Sequence, residues 1–389
     1  MSTQDSKMNE EFNKFFDDFE TENFSSKLIV LAVGEVSSGK SSFLNAFFDR
    51  PKNEPIFSSA ARSGETVDVM FEPIGEHILV GDTPGLGDIV KQNSDVTRDV
   101  LQQGVDVGIL VITGSADSTQ KKHYDDLREI CSKTIVVLNK IDGQSKKNLE
   151  VITSQWRELL ELDAHENIYL VSSRGYDPND KIIDPYTDEE VDIGVDSEGR
   201  PRTLRGISDV QTAVLDFLEE HGKLLLLAKE LKNKDRATRG IIVGAVLSAT
   251  AASLVPGSAA LILGIQATAI AGMYYVYKGT MLDRSHALSL IACFAAEQVG
   301  TSLFLIAKSF LPPTGLVDLA AAIIAATVTL ATLAAVVYLL KNDIELSDKK
   351  TAARVFNDFK SLVKEKTKGT SLSNLKDRSF WQKMLKDLM

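Results

Sequence analysis

The chain has almost no cysteine. Two thiols, Cys131 and Cys293, stand far apart and in apolar surroundings among 389 residues. They build neither a disulfide framework nor a Cys-rich zinc motif, and a reducing compartment suits them. Positive charge is also short: 43 Lys and Arg against 54 Asp and Glu give a net charge of −11. A general nucleic-acid binder carries a basic surface, so no nucleic-acid partner is expected. The opening residues are polar and acidic, so no secretory signal peptide is expected either. Charge of both signs vanishes between Gly240 and Tyr277. The rest is ordinary for an ordered protein, with 44% hydrophobic and 25% charged residues and enough length for two or three domains.

One stretch organises the first half. Gly34-Glu35-Val36-Ser37-Ser38-Gly39-Lys40-Ser41 follows the apolar run Leu28–Val33 and precedes Ser42-Phe43-Leu44. Strand, glycine loop and helix in that order are the context of a phosphate-binding P-loop. Gly34 and Gly39 let backbone wrap closely round phosphate. Loop N–H groups and the helix N-terminus present positive dipole ends to it. Lys40 can reach the β- and γ-phosphates, and the Ser41 hydroxyl can ligate Mg²⁺.

Two further motifs follow buried strands. Alternation in Val67–Phe71, a Pro73–Gly75 turn and the run His77–Gly81 predict a hairpin whose second strand leads into Asp82-Thr83-Pro84-Gly85. Asp82 at that strand end suits a Mg²⁺ site, and Gly85 lets an N–H approach a γ-phosphate. Val107–Ile112 is another buried strand. Thr134–Leu138 is a third, running into Asn139-Lys140-Ile141-Asp142. A carboxylate at Asp142 can accept from both N1–H and N2–H₂ of guanine, a donor pair adenine lacks. Asn139 can bond the base or tie the loops together, and the Lys140 stem can cover the ring. After strand Ile168–Val171, a loop at Ser172-Ser173-Arg174 can complete a base pocket. Residues 175–203 read as an inserted hairpin or loop with a solvated face, and 206–221 as a closing helix.

Gly34–Ser41, a switch-I Thr66, Asp82–Gly85, Asn139–Asp142 and Ser172–Arg174 together resemble the five G motifs of P-loop GTPases. Their order is similar to the Era/EngA and dynamin-like branch. The resemblance covers residues 26–222 and implies an α/β fold: a mostly parallel sheet with one antiparallel hairpin strand and helices on both faces. It implies GTP and GDP held by Gly34 through Ser42, Asp82, Gly85, Asn139, Lys140, Asp142 and Ser172 through Arg174. It implies Mg²⁺ on Ser41, Thr66 and Asp82, and GTP hydrolysis with Lys40, Thr66 and Gly85 at the transferring phosphoryl group. Ser58, Ser59 and Ser63 rival Thr66. Where Ras-like members carry a water-orienting Gln, this chain has Leu86. That departure implies slow basal turnover, completed by a partner or by G-domain dimerisation.

The remaining segments are helical by pattern. Met8, Phe12, Phe15, Phe16 and Phe19 predict an amphipathic helix within 1–25, packed on the protein or on a partner. Residues 223–345 form an all-α, hydrophobic domain: basic residues up to Arg239, then apolar stretches over 240–277, 287–311 and 319–340. The last is long enough to span a bilayer. Small residues at Gly240, Gly244, Ser248 and Ala252 predict close helix approach. Tyr274, Tyr275 and Tyr277 beside Lys278 suit an interfacial belt. Basic residues before Gly240, at Lys278 and Arg284, and from Lys341 on fit two membrane hairpins with the G domain on the cytoplasmic side. A compact Ala-rich soluble bundle, favoured by Glu297 and Lys308, is the alternative. Glu297 and Asp318 beside apolar runs also leave room for a gated pore. Joined to the G motifs, this region resembles bacterial Era-like GTPases with a hydrophobic tail domain and, more loosely, immunity-related GTPases. Residues 346–389 are basic and amphipathic, suited to anionic lipid or to docking on the G domain.

Overall fold

The run Leu28–Val33 has no polar side chain, and in a computed structural model it forms strand β1, buried along its whole length. Continuous burial is the mark of a strand covered on both faces of a parallel sheet. The structure describes residues 3–57, 70–83, 104–177, 179–184, 186–255, 259–296 and 315–388. Thr66, Gly85, Leu86, Ser58, Ser59, Ser63, Glu297 and Lys308 lie outside the described residues, as do both Pro-containing turns of the apolar region. The chain divides into two compact units, residues 26–232 and residues 1–25 with 233–389.

In the first unit, β1 is joined by β2 (Met70–Ile74), β3 (Ile78–Thr83), β4 (Val105–Ile112), β5 (Cys131–Leu138) and β6 (Ile168–Leu170). The six strands run in the order β2-β3-β1-β4-β5-β6. All neighbours are parallel except β2 and β3, which pair antiparallel as the hairpin pattern predicts. The turn sits at 75–77 rather than at Pro73–Gly75, because Pro73 stays inside β2. An edge strand tolerates proline, since one side needs no ladder donor. Helices α2 (Lys40–Phe47), α3 (Ser118–Ile130), α4 (Lys146–Leu159), α5 (Ile207–Glu220) and α6 (Leu224–Glu230) complete the unit with the small hairpin β7 (Lys181–Ile183) and β8 (Glu190–Asp192). Helix α6 stays with this unit because Leu224 through Leu227 are all buried.

The second unit gathers α1 (Thr3–Phe24), α7 (Asp235–Ala252), α8 (Ala259–Lys278), α9 (Arg284–Ala296), α10 (Gly315–Lys341), α11 (Lys349–Lys366), α12 (Leu372–Leu375) and α13 (Arg378–Leu388). Helix α10 is its core. Ala321, Ala322, Ala325, Ala326, Leu330 and Leu333 have no exposed surface. Helices α7, α8, α11 and α12 pack round it. Helix α11 turns Ala352, Val355, Phe356 and Val363 inward and its lysines outward, as a surface helix should. Phe16 of α1 is fully buried in the same core, and Asp17 of α1 pairs with Arg284.

Two expectations for this unit change. Gly244 faces open space and Ser248 is exposed, so the small-residue stripe of α7 makes no close approach there. The opposite face, with Ile242, Val243, Val246 and Ala249, does the packing. Tyr275 is buried, its ring 4.7 Å from that of Phe24, rather than set out as a belt residue. Among the described residues only α8 and α10 are long and apolar enough to cross a membrane, and 61% and 83% of their apolar windows are buried inside the protein.

Candidate functional site

The loop between β1 and α2 is shaped by contacts that only glycine permits. A Cβ at Gly34 would lie 2.2 Å from the Val111 carbonyl oxygen. Gly39 has φ +84°, and a Cβ there would lie 2.5 Å from the Asn139 side-chain nitrogen. Both glycines therefore bring the loop against β4 and the end of β5. The Ser38 Oγ is buried with no hydrogen-bond partner among the described residues. A buried hydroxyl in that state calls for an acceptor, and a phosphate oxygen in the loop would be one.

Lys40 donates from Nζ to the carbonyls of Gly34 at 2.9 Å and Glu35 at 2.8 Å. Its ammonium thus sits within the loop, where a phosphate anion is a stronger acceptor than a carbonyl. Burial pushes its pKa below the ordinary lysine value, against the opposing pull of Asp82 and Glu35. Asp82 lies beside Ala32 in the β1–β3 register and accepts from Ser41 Oγ at 2.6 Å. Burial pushes the Asp82 carboxyl up, while Ser41 and Lys40 hold it down. Two oxygen donors side by side, one a carboxylate, suit a hard cation such as Mg²⁺. The residues present therefore fit the ion that the motif implies.

The Asn139–Asp142 motif joins this loop through one side chain. Asn139, 2% exposed, donates from Nδ2 to the Ser38 carbonyl at 3.0 Å. Its Oδ1 accepts from Ser173 N at 3.2 Å and Ser173 Oγ at 3.1 Å. Of the two roles open to Asn139, the structure places it in the loop-tying one. Asp142 accepts from Ser172 Oγ at 2.8 Å, and Arg174 Nη1 stands 3.6 Å from its other oxygen. The three loops are thus one connected network. The Lys140 stem lies over the loop, with Cε 3.7 Å from the Cβ position of Gly39. Val36, by contrast, is 66% exposed and takes no part in these contacts.

Two supports escaped the motif reading. Asn45 of α2 is fully buried, and its carboxamide holds Ile56 N, Phe57 N, the Phe57 carbonyl and the Ser41 carbonyl. It anchors the entrance to the segment that contains Thr66. One signal was available: a lone polar residue inside the run Phe43-Leu44-Asn45-Ala46-Phe47. The second support is the inserted segment, which is not merely solvated. Tyr176 Oη donates to the Arg50 carbonyl at 2.6 Å, Lys52 N to the Gly199 carbonyl at 2.7 Å, and Arg200 pairs with buried Asp49 at 2.9 Å. No local pattern announces contacts about 150 residues apart in sequence.

Comparison with known proteins fits this geometry. Residues 29–140 match the family described as 50S ribosome-binding GTPase. A curated relative, GTPase Der from Sulfurihydrogenibium sp. (strain YO3AOP1), is 27% identical over 165 residues, 40% of this chain and 36% of that protein. The chain thus spans about a third of that relative's length. Among solved structures, Arabidopsis thaliana Toc33 with GDP and Mg²⁺ aligns at 17% identity over 56% of this chain and 94% of that one, with a TM-score of 0.32. Methanosarcina barkeri Roco2 RocCORdC bound to GDP aligns at 15% identity over 52% and 55%, with a TM-score of 0.27. Scores that low add no weight. What carries weight is the family match across 29–140, which takes in the glycine loop and Asn139–Lys140: over these residues the chain is similar to that GTPase family.

Proposed function

We propose that the chain binds GTP with Mg²⁺ and hydrolyses it to GDP and phosphate. The observation that carries this reading is Asn139, whose two polar ends join the phosphate loop to the Asp142 and Ser172–Arg174 loops. Such a tie is what a single ligand with phosphate at one end and a base at the other requires.

The roles divide by chemistry. Loop N–H groups of Gly34 through Ser42 and the first turn of α2 cradle the phosphates. Lys40 offers its charge to the β- and γ-oxygens from a desolvated position, where that charge acts strongly. Ser41 and Asp82 would hold Mg²⁺, with Thr66 joining them when GTP is bound. The bound ion supplies positive charge to the β- and γ-phosphates. Asp142 accepts from guanine, Lys140 covers the ring, and Ser172 and Arg174 hold the Asp142 carboxylate in place. Gly85 would let a backbone N–H approach the γ-phosphate. Leu86 cannot orient water, so a second G domain, or a partner, completes the site in a dynamin-like manner.

Nucleotide state is coupled to the helical unit, and that unit meets membrane at its surface. The burial of α10 favours a self-packed bundle over four spanning helices. The bundle's basic ends support cytoplasmic-side membrane association: Lys341 pairs with Asp235, and Lys278 with Asp343, so three helix ends share one side. A soluble, GTP-controlled partner-binding protein is the second reading, favoured by the same burial.

Calorimetry of the full chain in magnesium buffer tests the central reading. Heat on titrating GTP and GDP, with none from ATP, is the expected result. Silence with both guanine nucleotides, or preference for ATP, overturns it.

A further inference from the structure

Helices α7 and α13 flank a half-open cavity of about 370 Å³ lined by Arg236, Arg239, Gly240, Ser379, Gln382, Lys383 and Lys386. Its lining holds four cations and no carboxylate. Its volume lies within the range of small-molecule sites. We propose that this cavity binds a phosphate-bearing anion: a phosphomonoester or diphosphate group, free or on a lipid headgroup.

The placement follows from helical spacing. Ser379, Gln382, Lys383 and Lys386 recur at i, i+3, i+4 and i+7, so they share one face of α13. The other face, with Trp381, Met384 and Leu385, is buried in the bundle core. That burial fixes the rotation of α13 and so aims the lysines at α7. On α7, Arg236, Arg239 and Gly240 stand at i, i+3 and i+4, so they share the face that lines the cavity.

The neighbouring acids are occupied elsewhere. Asp235 pairs with Lys341 at 2.6 Å and Asp387 with Lys366 at 3.4 Å. Asp377 accepts from the Ser379 N–H and Oγ–H at the start of α13. Among the described residues Arg239, Lys383 and Lys386 have no ion-pair partner. Three cations gathered without a counter-charge repel one another, and a multiply charged anion relieves that repulsion. Arginine adds a planar fork that matches phosphate oxygens, and lysine adds point charge. A chain with a net charge of −11 makes such an acid-free cavity more telling, since random placement would bring carboxylates into it.

This site shares no residue with the nucleotide loop, and its binding does not require hydrolysis. The lipid form of the ligand rests on the membrane reading above, and the free form does not. The test uses the full chain saturated with GDP and Mg²⁺, so that the nucleotide loop is filled. Inorganic pyrophosphate is titrated by calorimetry. Sedimentation is followed with phosphatidylcholine vesicles, with and without phosphatidic acid. The variants are K383E/K386E, both exposed positions, and the charge-matched control K350E/K364E on α11. Loss of the two lysine contacts with charge reversal is expected to weaken binding by at least about tenfold, and the control to change it little. Binding to both probes assigns a lipid headgroup; binding to pyrophosphate alone assigns a free phosphate and sinks the lipid form. No binding to either probe while GDP binding is intact overturns the proposal. So does equal weakening by the control pair, which would mean diffuse attraction without a site.

Discussion

Asn139 has a donor end and an acceptor end, and the fold uses both. Replacing it with alanine leaves the buried Ser173 N–H and hydroxyl without their acceptor. Unpaired buried groups cost about 1–3 kcal/mol each, so Asn139→Ala should lower stability by an amount of that order. Denaturant titration reads the stability, and calorimetry should show guanine-nucleotide affinity falling with it. Asp142 makes a sharper case. Asp142→Asn turns an acceptor oxygen into a donor, so guanine's N2–H₂ meets N–H. Xanthine carries an accepting carbonyl at that position. The variant should lose GTP and gain xanthosine triphosphate in a competition assay; equal loss of both would remove Asp142 from base recognition. Cys131 gives a pH-dependent prediction. Burial, and then the nearby Asp106 charge, push its thiol up to about 12. The folded state thus favours the neutral thiol. The stability this confers is complete below the unfolded value of 9.0 and is lost as pH rises from there toward about 12. Native alkylation at neutral pH should accordingly leave Cys131 unmodified, as mass spectrometry of the digested protein would show.

At the scale of elements, the short helix α13 depends on one large anchor. Trp381 has no exposed surface, and its indole N–H donates to the Leu375 carbonyl at 2.9 Å. Trp381→Ala should cost about 3–5 kcal/mol, since it leaves a large cavity and an unpaired carbonyl. Hydrogen exchange should then show α12 and α13 opening before the rest. Strand β1, loop and α2 were legible because their rules act within a few residues: an apolar run, two glycines, a lysine and a serine. The β2–β3 hairpin was legible for the same reason, while its turn was misplaced by two residues because proline signals a turn and edge position tolerates it. The apolar run round Asn45 marks it as a buried polar residue but does not name its partners, and the Asp49–Arg200 pair was not legible, since neither residue carries a local signature of the other.

At the scale of the molecule, Leu86 and helix α10 each set a test. If a second G domain supplies what Leu86 lacks, turnover per protein should rise with protein concentration and fall on dilution. Flat, fast turnover across the series would discard dimer-assisted hydrolysis. If α10 is a core helix, as its burial supports, protein purified without detergent should stay monodisperse, and carbonate should release it from membranes. Retention in the pellet would restore the spanning arrangement.

The sequence by itself determined the glycine loop, the Asn139–Asp142 motif and the strand that bears each, because hydrogen-bonding chemistry and backbone freedom are properties of short segments. Only the tertiary structure decided what the charge-free helices face. An apolar helix has the same composition whether its neighbour is a lipid tail or another helix, and the choice rests on helices α7, α8, α11 and α12 closing round α10. The basic cavity was decided in the same way, by the buried Trp381 that turns the lysines of α13 toward the arginines of α7.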